Sequence, residues 1–272
     1  MRAPVTMHAA RDAVGVTLVV VVAIFAGSRG GRDLDPALFG YAAATLVAVF
    51  GVAWRASAFW RRPASAHYGR TLLAAVRTPA WLRTVLHSTG TDLAAQTFIA
   101  RRSRVRWLAH LGLSLGTLAS FAITVPLVFG WLHFEPEGQT HYRPMFFGLP
   151  AGPALALDGI PAWFVFHGLA LAGFGVAFGA AYFLVVRVRA RSVPGVTNGR
   201  HVGPLVLLLV VALSGLALPA SRHDPVAFAI ASRLHETAVI VMLVALPFSK
   251  LAHVLIRPLQ IGARVQNHPT HA

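Results

Sequence analysis

The sequence contains no cysteine. That excludes disulfides, thiolate metal sites, iron–sulfur clusters held by this chain, and cysteine nucleophiles. Charge is scarce as well. Only 12% of the 272 residues are charged, about half of the roughly 25% usual in soluble domains. Acids are the scarcest, with nine Asp and Glu against 24 Lys and Arg. No G-x-S-x-G elbow occurs, which disfavours a hydrolase triad, and there is no internal repeat or low-complexity tract. In excess are the apolar residues, at 56%. This balance excludes a soluble globular domain and a disordered chain. It leaves a polytopic membrane protein, because runs of about 20 apolar residues cross a bilayer as helices.

Six apolar runs stand out, at 13–28, 36–54, 107–132, 162–186, 203–220 and 234–256, separated by Pro and Gly clusters or Arg runs. They predict an all-α bundle of about six transmembrane helices, forming one integral membrane domain over 1–272. The first run follows Arg2 and Arg11 and resembles a signal peptide. We read it as a retained first helix, somewhat short for a full span. Pro126, Pro247 and Gly173 fall inside runs, where membrane helices tolerate them. Gly175 and Gly179 have the spacing of close helix packing, and ordinary helix composition explains them equally well.

The charges sort by loop. The N-terminus, 55–106, 187–202 and the C-terminal tail carry nineteen Lys or Arg against two acids, Asp12 and Asp92. The segments 29–35, 133–161 and 221–236 carry five Arg against seven acids. This bias predicts that the first set is cytoplasmic, and an even number of spans then leaves both termini inside the cell. The protein is expected to be a multi-pass protein of the cell (inner) membrane. The net charge of +15 follows this topology, so nucleic acid is not an expected partner. Segment 55–106 holds ten Arg together with Leu72, Leu73, Val76, Trp81, Leu82, Val85 and Leu86 at helical spacing. It reads as an interfacial amphipathic helix, a docking surface for a cytoplasmic partner, or a solvated basic linker.

Histidine is the one plentiful ligand, with thirteen in the chain. Four fall inside predicted spans: His110, His167, His235 and His253. Ionisable groups there are functional candidates by default. His235 and His253 are 18 residues apart, which is five helical turns and about 27 Å. On one continuous helix both would leave the same face, one near each membrane surface. His110 matches His253 in depth on the cytoplasmic side, and His167 matches His235 on the outer side. Two bis-histidine haem sites, one per leaflet, follow as an expectation; hydrogen-bonded packing residues are the plain alternative. His133, at the outer end of the third run, competes with His167.

These residues resemble a known family. His235-Glu236, followed by Leu246-Pro247-Phe248-Ser249-Lys250-Leu251-Ala252-His253, is similar to the last haem-binding helix of the respiratory nitrate reductase gamma subunit family. Arg106-Trp107-Leu108-Ala109-His110-Leu111-Gly112 resembles the start of that family's other ligand helix. The basic run Arg101-Arg102-Ser103-Arg104 resembles the membrane subunits of heterodisulfide-reductase-like and sulfite-reductase-associated complexes, part of the same cytochrome b group. The likeness covers mainly the third and sixth runs. It implies that His110 and His253 hold an inner haem b and that His235 is one ligand of an outer haem. The nitrate reductase type has a further histidine ten residues after the first, and Ser120 stands there in this chain. The outer haem then recruits His167 or His133, or only one haem is present. Six spans instead of five also mark a divergent branch.

The resemblance implies quinone chemistry and electron transfer to an iron–sulfur subunit and a catalytic subunit on the cytoplasmic side. Quinol oxidation releases protons, so a carboxylate near a haem is expected. Glu236 is the first candidate and Glu135 the second; Glu137 and Asp158 are further ones in an outer loop where acids are common. Three rivals remain at this level: a transporter relaying protons through intramembrane histidines, a non-catalytic membrane anchor, and another di-haem cytochrome b such as a hydrogenase or formate dehydrogenase subunit.

Overall fold

A computed structural model describes residues 3–61, 95–189 and 199–249. Most of the basic segment 55–106 and the expected ligand His253 lie outside the described residues. Six helices are long and apolar enough to cross a membrane. They are α1 (Ala3–Gly27), α2 (Phe39–Trp60), α4 (Arg104–Val128), α5 (Ile160–Arg189), α6 (Gly199–Ser221) and α7 (Pro225–Ala245). A one-turn helix α3 (Thr97–Ala100) precedes α4. The expected all-α membrane bundle is present. The first span is longer than expected, because the helix begins at Ala3, well before the apolar run. Asp12 in that extension accepts from Arg61 Nη2 at 2.6 Å and from Ser57 Oγ at 2.5 Å, both supplied from α2.

The helices pack in the order α1, α2, α7, α6, α5, α4. Ile24 of α1 meets Val128 and Phe129 at the end of α4. Phe121 of α4 packs against two buried groups, one around Met242 and the other formed by Ala44, Ala48 and Leu243. The bundle is thus pinned near its middle. Large apolar side chains on its outside, such as Leu18, Val22, Phe25, Phe174 and Phe178, are exposed in the way lipid contact requires.

The α4–α5 contact is made through glycine on both helices. A Cβ on Gly112 would lie 2.9 Å from the Gly175 carbonyl oxygen, and one on Gly175 would lie 3.0 Å from that of Gly112. One on Gly116 would lie 2.6 Å from the Ala172 carbonyl. The GxxxG spacing noted in the sequence is therefore a backbone-to-backbone contact.

Two boundaries differ from expectation. The last span starts nine residues earlier than 234. Asp224 caps α7 by accepting from the Val226 and Ala227 amides, and Pro225 occupies its first turn, where a missing N–H costs nothing. The α-helix then stops at Ala245 in a 3-10 turn, Leu246–Phe248, and Ser249 is extended (φ −100°, ψ 174°). The expected unbroken helix from His235 to His253 is thus corrected. Pro247 removes a backbone donor, its ring packs on Gly51 of α2, and its carbonyl accepts from Arg55.

The second difference is the segment after α4. It was expected to be helix to 132 and then loop. It forms an antiparallel hairpin of β1 (Leu132–Glu137) and β2 (His141–Phe146), extended by β3 (Leu149–Pro150) and β4 (Leu155–Ala156), both paired to β2. Gly130, at φ +66°, turns the chain from α4 into β1 directly against the Asp33 carbonyl, where no Cβ would fit. This sheet caps the acidic side of the bundle. The other side carries the exposed arginines 101, 102, 104 and 106 at the start of α4, and the half-buried Arg187 and exposed Arg189 at the end of α5.

Candidate functional site

His110 lies six residues inside α4, about 9 Å from its Arg-rich end. It is eleven residues from Phe121, three helical turns, so both leave the same face. That face looks toward α2 and α7, where Phe121 packs. Ser114 and Thr117 share it. The His110 ring lies edge-on to Phe183 of α5, centroids 5.9 Å apart.

The orientation of His110 is set by a closed ring of hydrogen bonds. Nδ1 donates to Gln96 Oε1 at 2.7 Å. Gln96 Nε2 donates to Ser114 Oγ at 2.6 Å, and Ser114 Oγ donates to the His110 carbonyl at 2.8 Å. Because the serine proton is committed to that carbonyl, its oxygen must accept from the amide nitrogen, and the amide oxygen must face His110. The proton of the neutral imidazole then sits on Nδ1 and the lone pair on Nε2, the form in which histidine binds metals.

His235 has the same arrangement on the opposite side of the membrane. Ser214 Oγ of α6 donates to the Val210 carbonyl at 2.7 Å, which leaves its oxygen to accept from His235 Nδ1 at 3.1 Å. Gly215 makes room for the ring: a Cβ there would lie 2.9 Å from His235 Cε1. Met242, two turns along α7, shares the His235 face and is buried. The next residue, Glu236, reaches the first turn of α2, its Oε1 3.1 Å from a Cβ on Gly40. His235 thus sits near the hairpin-side end of α2, as expected, and the first ten residues of α7 rise beyond it. Glu236 makes no hydrogen bond or ion pair among the described residues.

The other two candidates stand apart. The buried positions of α5 are Ala162, Ala172, Val176, Gly179 and Ala180, and His167 projects from the opposite side of the helix. It is exposed, its Nδ1 donates to the Trp163 carbonyl at 2.9 Å, and it stacks on the Trp163 ring at 4.8 Å. His133 lies on β1, outside the bundle, with Nε2 3.4 Å from Glu135 Oε1. Its Nδ1 is buried and has no partner among the described residues. Nearby, the Arg29 guanidinium donates twice to Asp33, at 2.8 and 2.6 Å, and holds that carboxyl below its ordinary range. Arg143 does the same for Glu137. Among the described residues, no three of His, Asp and Glu gather to hold a metal ion.

Haem b is the group the sequence implies. The donor chemistry of His110 and His235 fits an axial ligand, since each has Nδ1–H satisfied and Nε2 carrying the lone pair. His167 does not fit as the second ligand beside His235, because it points off the far face of α5. Gln96, Ser114 and Ser214 escaped the sequence reading. Gln96 lies in the basic segment, outside any apolar run, and a serine inside a run carries no distinguishing signal.

These features define a multi-pass helical membrane protein with two histidines, each hydrogen-bonded through Nδ1 inside the bundle, toward its opposite ends. No family model, curated protein or solved structure matches the chain.

Proposed function

We propose that the chain is a membrane cytochrome b subunit that exchanges electrons with the quinone pool and passes them to an iron–sulfur partner on the Arg-rich, cytoplasmic side. The observation that carries this reading is the histidine pair His110 and His235, each fixed through Nδ1 by a buried acceptor. His110 and His253 are the proposed ligands of the inner haem. What supports this pairing is the P-F-S-K ending before His253, which resembles the nitrate reductase gamma subunit type. His235 is the proposed ligand of a second, outer haem. Haem supplies one-electron storage when bound.

The chain's own residues supply the rest. Gln96 and Ser214 hold the imidazoles in the ligating tautomer. The apolar helices exclude water around them. Oxidation of a quinol releases two electrons and two protons, and Glu236 is the proposed acceptor of a proton at the hairpin-side end of the α2–α7 seam. Glu135, engaged with His133 on the exposed hairpin, is the weaker candidate. The arginines at the start of α4 and the end of α5 suit an acidic docking partner.

The test is quinol-driven reduction of the purified protein, followed in the α-band of reduced haem b. The wild-type chain is expected to be reduced, and Glu236→Gln to slow reduction by about 10²-fold or more, the lower end of general-base contributions. A haem-free, folded protein would favour a membrane anchor or transporter. Unchanged kinetics in Glu236→Gln would remove that residue from the proton path.

A further inference from the structure

Three polar side chains are buried among the described residues: Ser28, Gln96 and Ser214. Ser28 serves the end of α1, accepting from the Gly31 amide at 3.0 Å. Ser214 meets His235. Gln96 is the most demanding of the three, because a primary amide has two donors and an oxygen to satisfy and is only 3% exposed. Its backbone is costly too. At φ 51° and ψ 42° it occupies the left-handed region, which a residue with a side chain adopts only where its surroundings enforce it.

What enforces it is a set of ties to one stripe of α4. The Trp107 indole donates to the Ala95 carbonyl at 2.7 Å. The amide of Gln96 reaches His110 and Ser114. Positions 107, 110 and 114 share one helical face, so residues 95–96 are stapled along it. On its other side the Gln96 carbonyl accepts from the Ile99 amide at 2.9 Å and starts α3. Local strain and a buried amide are thus both maintained at a residue that hydrogen-bonds His110 Nδ1.

We infer that Gln96 is a positioning residue that fixes the tautomer and ring orientation of His110 and sets the donor strength of its Nε2. This rests on His110 being a haem ligand. A neutral amide oxygen accepts the Nδ1 proton without drawing it off. A carboxylate in the same place would pull that proton and make the imidazole a stronger donor to iron, favouring the oxidised state. An apolar side chain would leave Nδ1–H without this acceptor and do the reverse.

Redox titration of the haem lost in His110→Ala tests this, on Gln96→Glu, Gln96→Leu and Ser114→Ala in the full chain. The reduction potential is expected to fall in Gln96→Glu and to rise in Gln96→Leu. A smaller rise is expected in Ser114→Ala, where the amide loses its anchor. Should Gln96→Leu not fold, the nearly isosteric Gln96→Glu and the small truncation Ser114→Ala still decide. A wild-type potential in Gln96→Glu, with haem bound, would overturn the role of Gln96 and leave the ligand assignment standing. Full haem content in His110→Ala would instead overturn the ligand assignment, and the inference with it.

Discussion

Histidines alike in the sequence differ sharply once their partners are known. His110 and His167 both lie inside apolar runs. One is tied to a buried amide, and the other stacks on Trp163 at the surface of α5. Hydropathy does not separate them, because the face a residue occupies depends on which helices pack beside it. Outside the membrane, Asp33 gives a pH prediction. Its folded pKa lies below the ordinary value of about 3.9, because Arg29 hydrogen-bonds the carboxylate. The stabilisation is therefore complete above the unfolded pKa and is lost as pH falls through the lower folded value. Acid titration followed by tryptophan fluorescence is expected to show a transition below about pH 4 in the wild type. It should be absent or reduced in Asp33→Asn. Superimposable curves would show that the pair does not stabilise the α1–α2 loop.

Elements were read from the sequence with uneven success, for physical reasons. Apolar runs locate the spans because lipid demands about 20 residues of them. They do not locate helix ends that leave the membrane. The Asp224-Pro225 cap is a standard start signal, yet it lies in a polar stretch that looks like loop. The β1–β2 hairpin was missed because Pro136 and Pro144 each demote a strand. In the structure the hairpin is anchored instead by aromatic contacts of Phe134 and Tyr142 with Phe166. The α4–α5 pair was half legible: Gly175 and Gly179 were visible as a spacing, but their partners, Gly112 for the first and Ala109 and Leu113 for the second, required the packing. Gly116→Val is expected to destabilise the protein by about 1–3 kcal/mol, the usual cost of overpacking. Thermal unfolding in detergent measures it. A melting point equal to wild type would mean that the two backbones are not in contact.

At the scale of the molecule, the six spans and the sorted charges describe a polarised bundle: histidines at two depths, a β-sheet cap at one end, arginines at the other. The number of spans was legible because it depends on composition summed over long windows. The histidine pairing was not, since the unbroken helix assumed from His235 to His253 stops at Leu246–Phe248. The central claim is that His110 is an axial ligand. Haem b per chain, measured by pyridine haemochrome on the purified wild type and on His110→Ala, tests it most directly. The account expects one to two haems in the wild type and the loss of one equivalent in the variant. A folded wild type with no haem, or a variant that keeps the full complement, would contradict it.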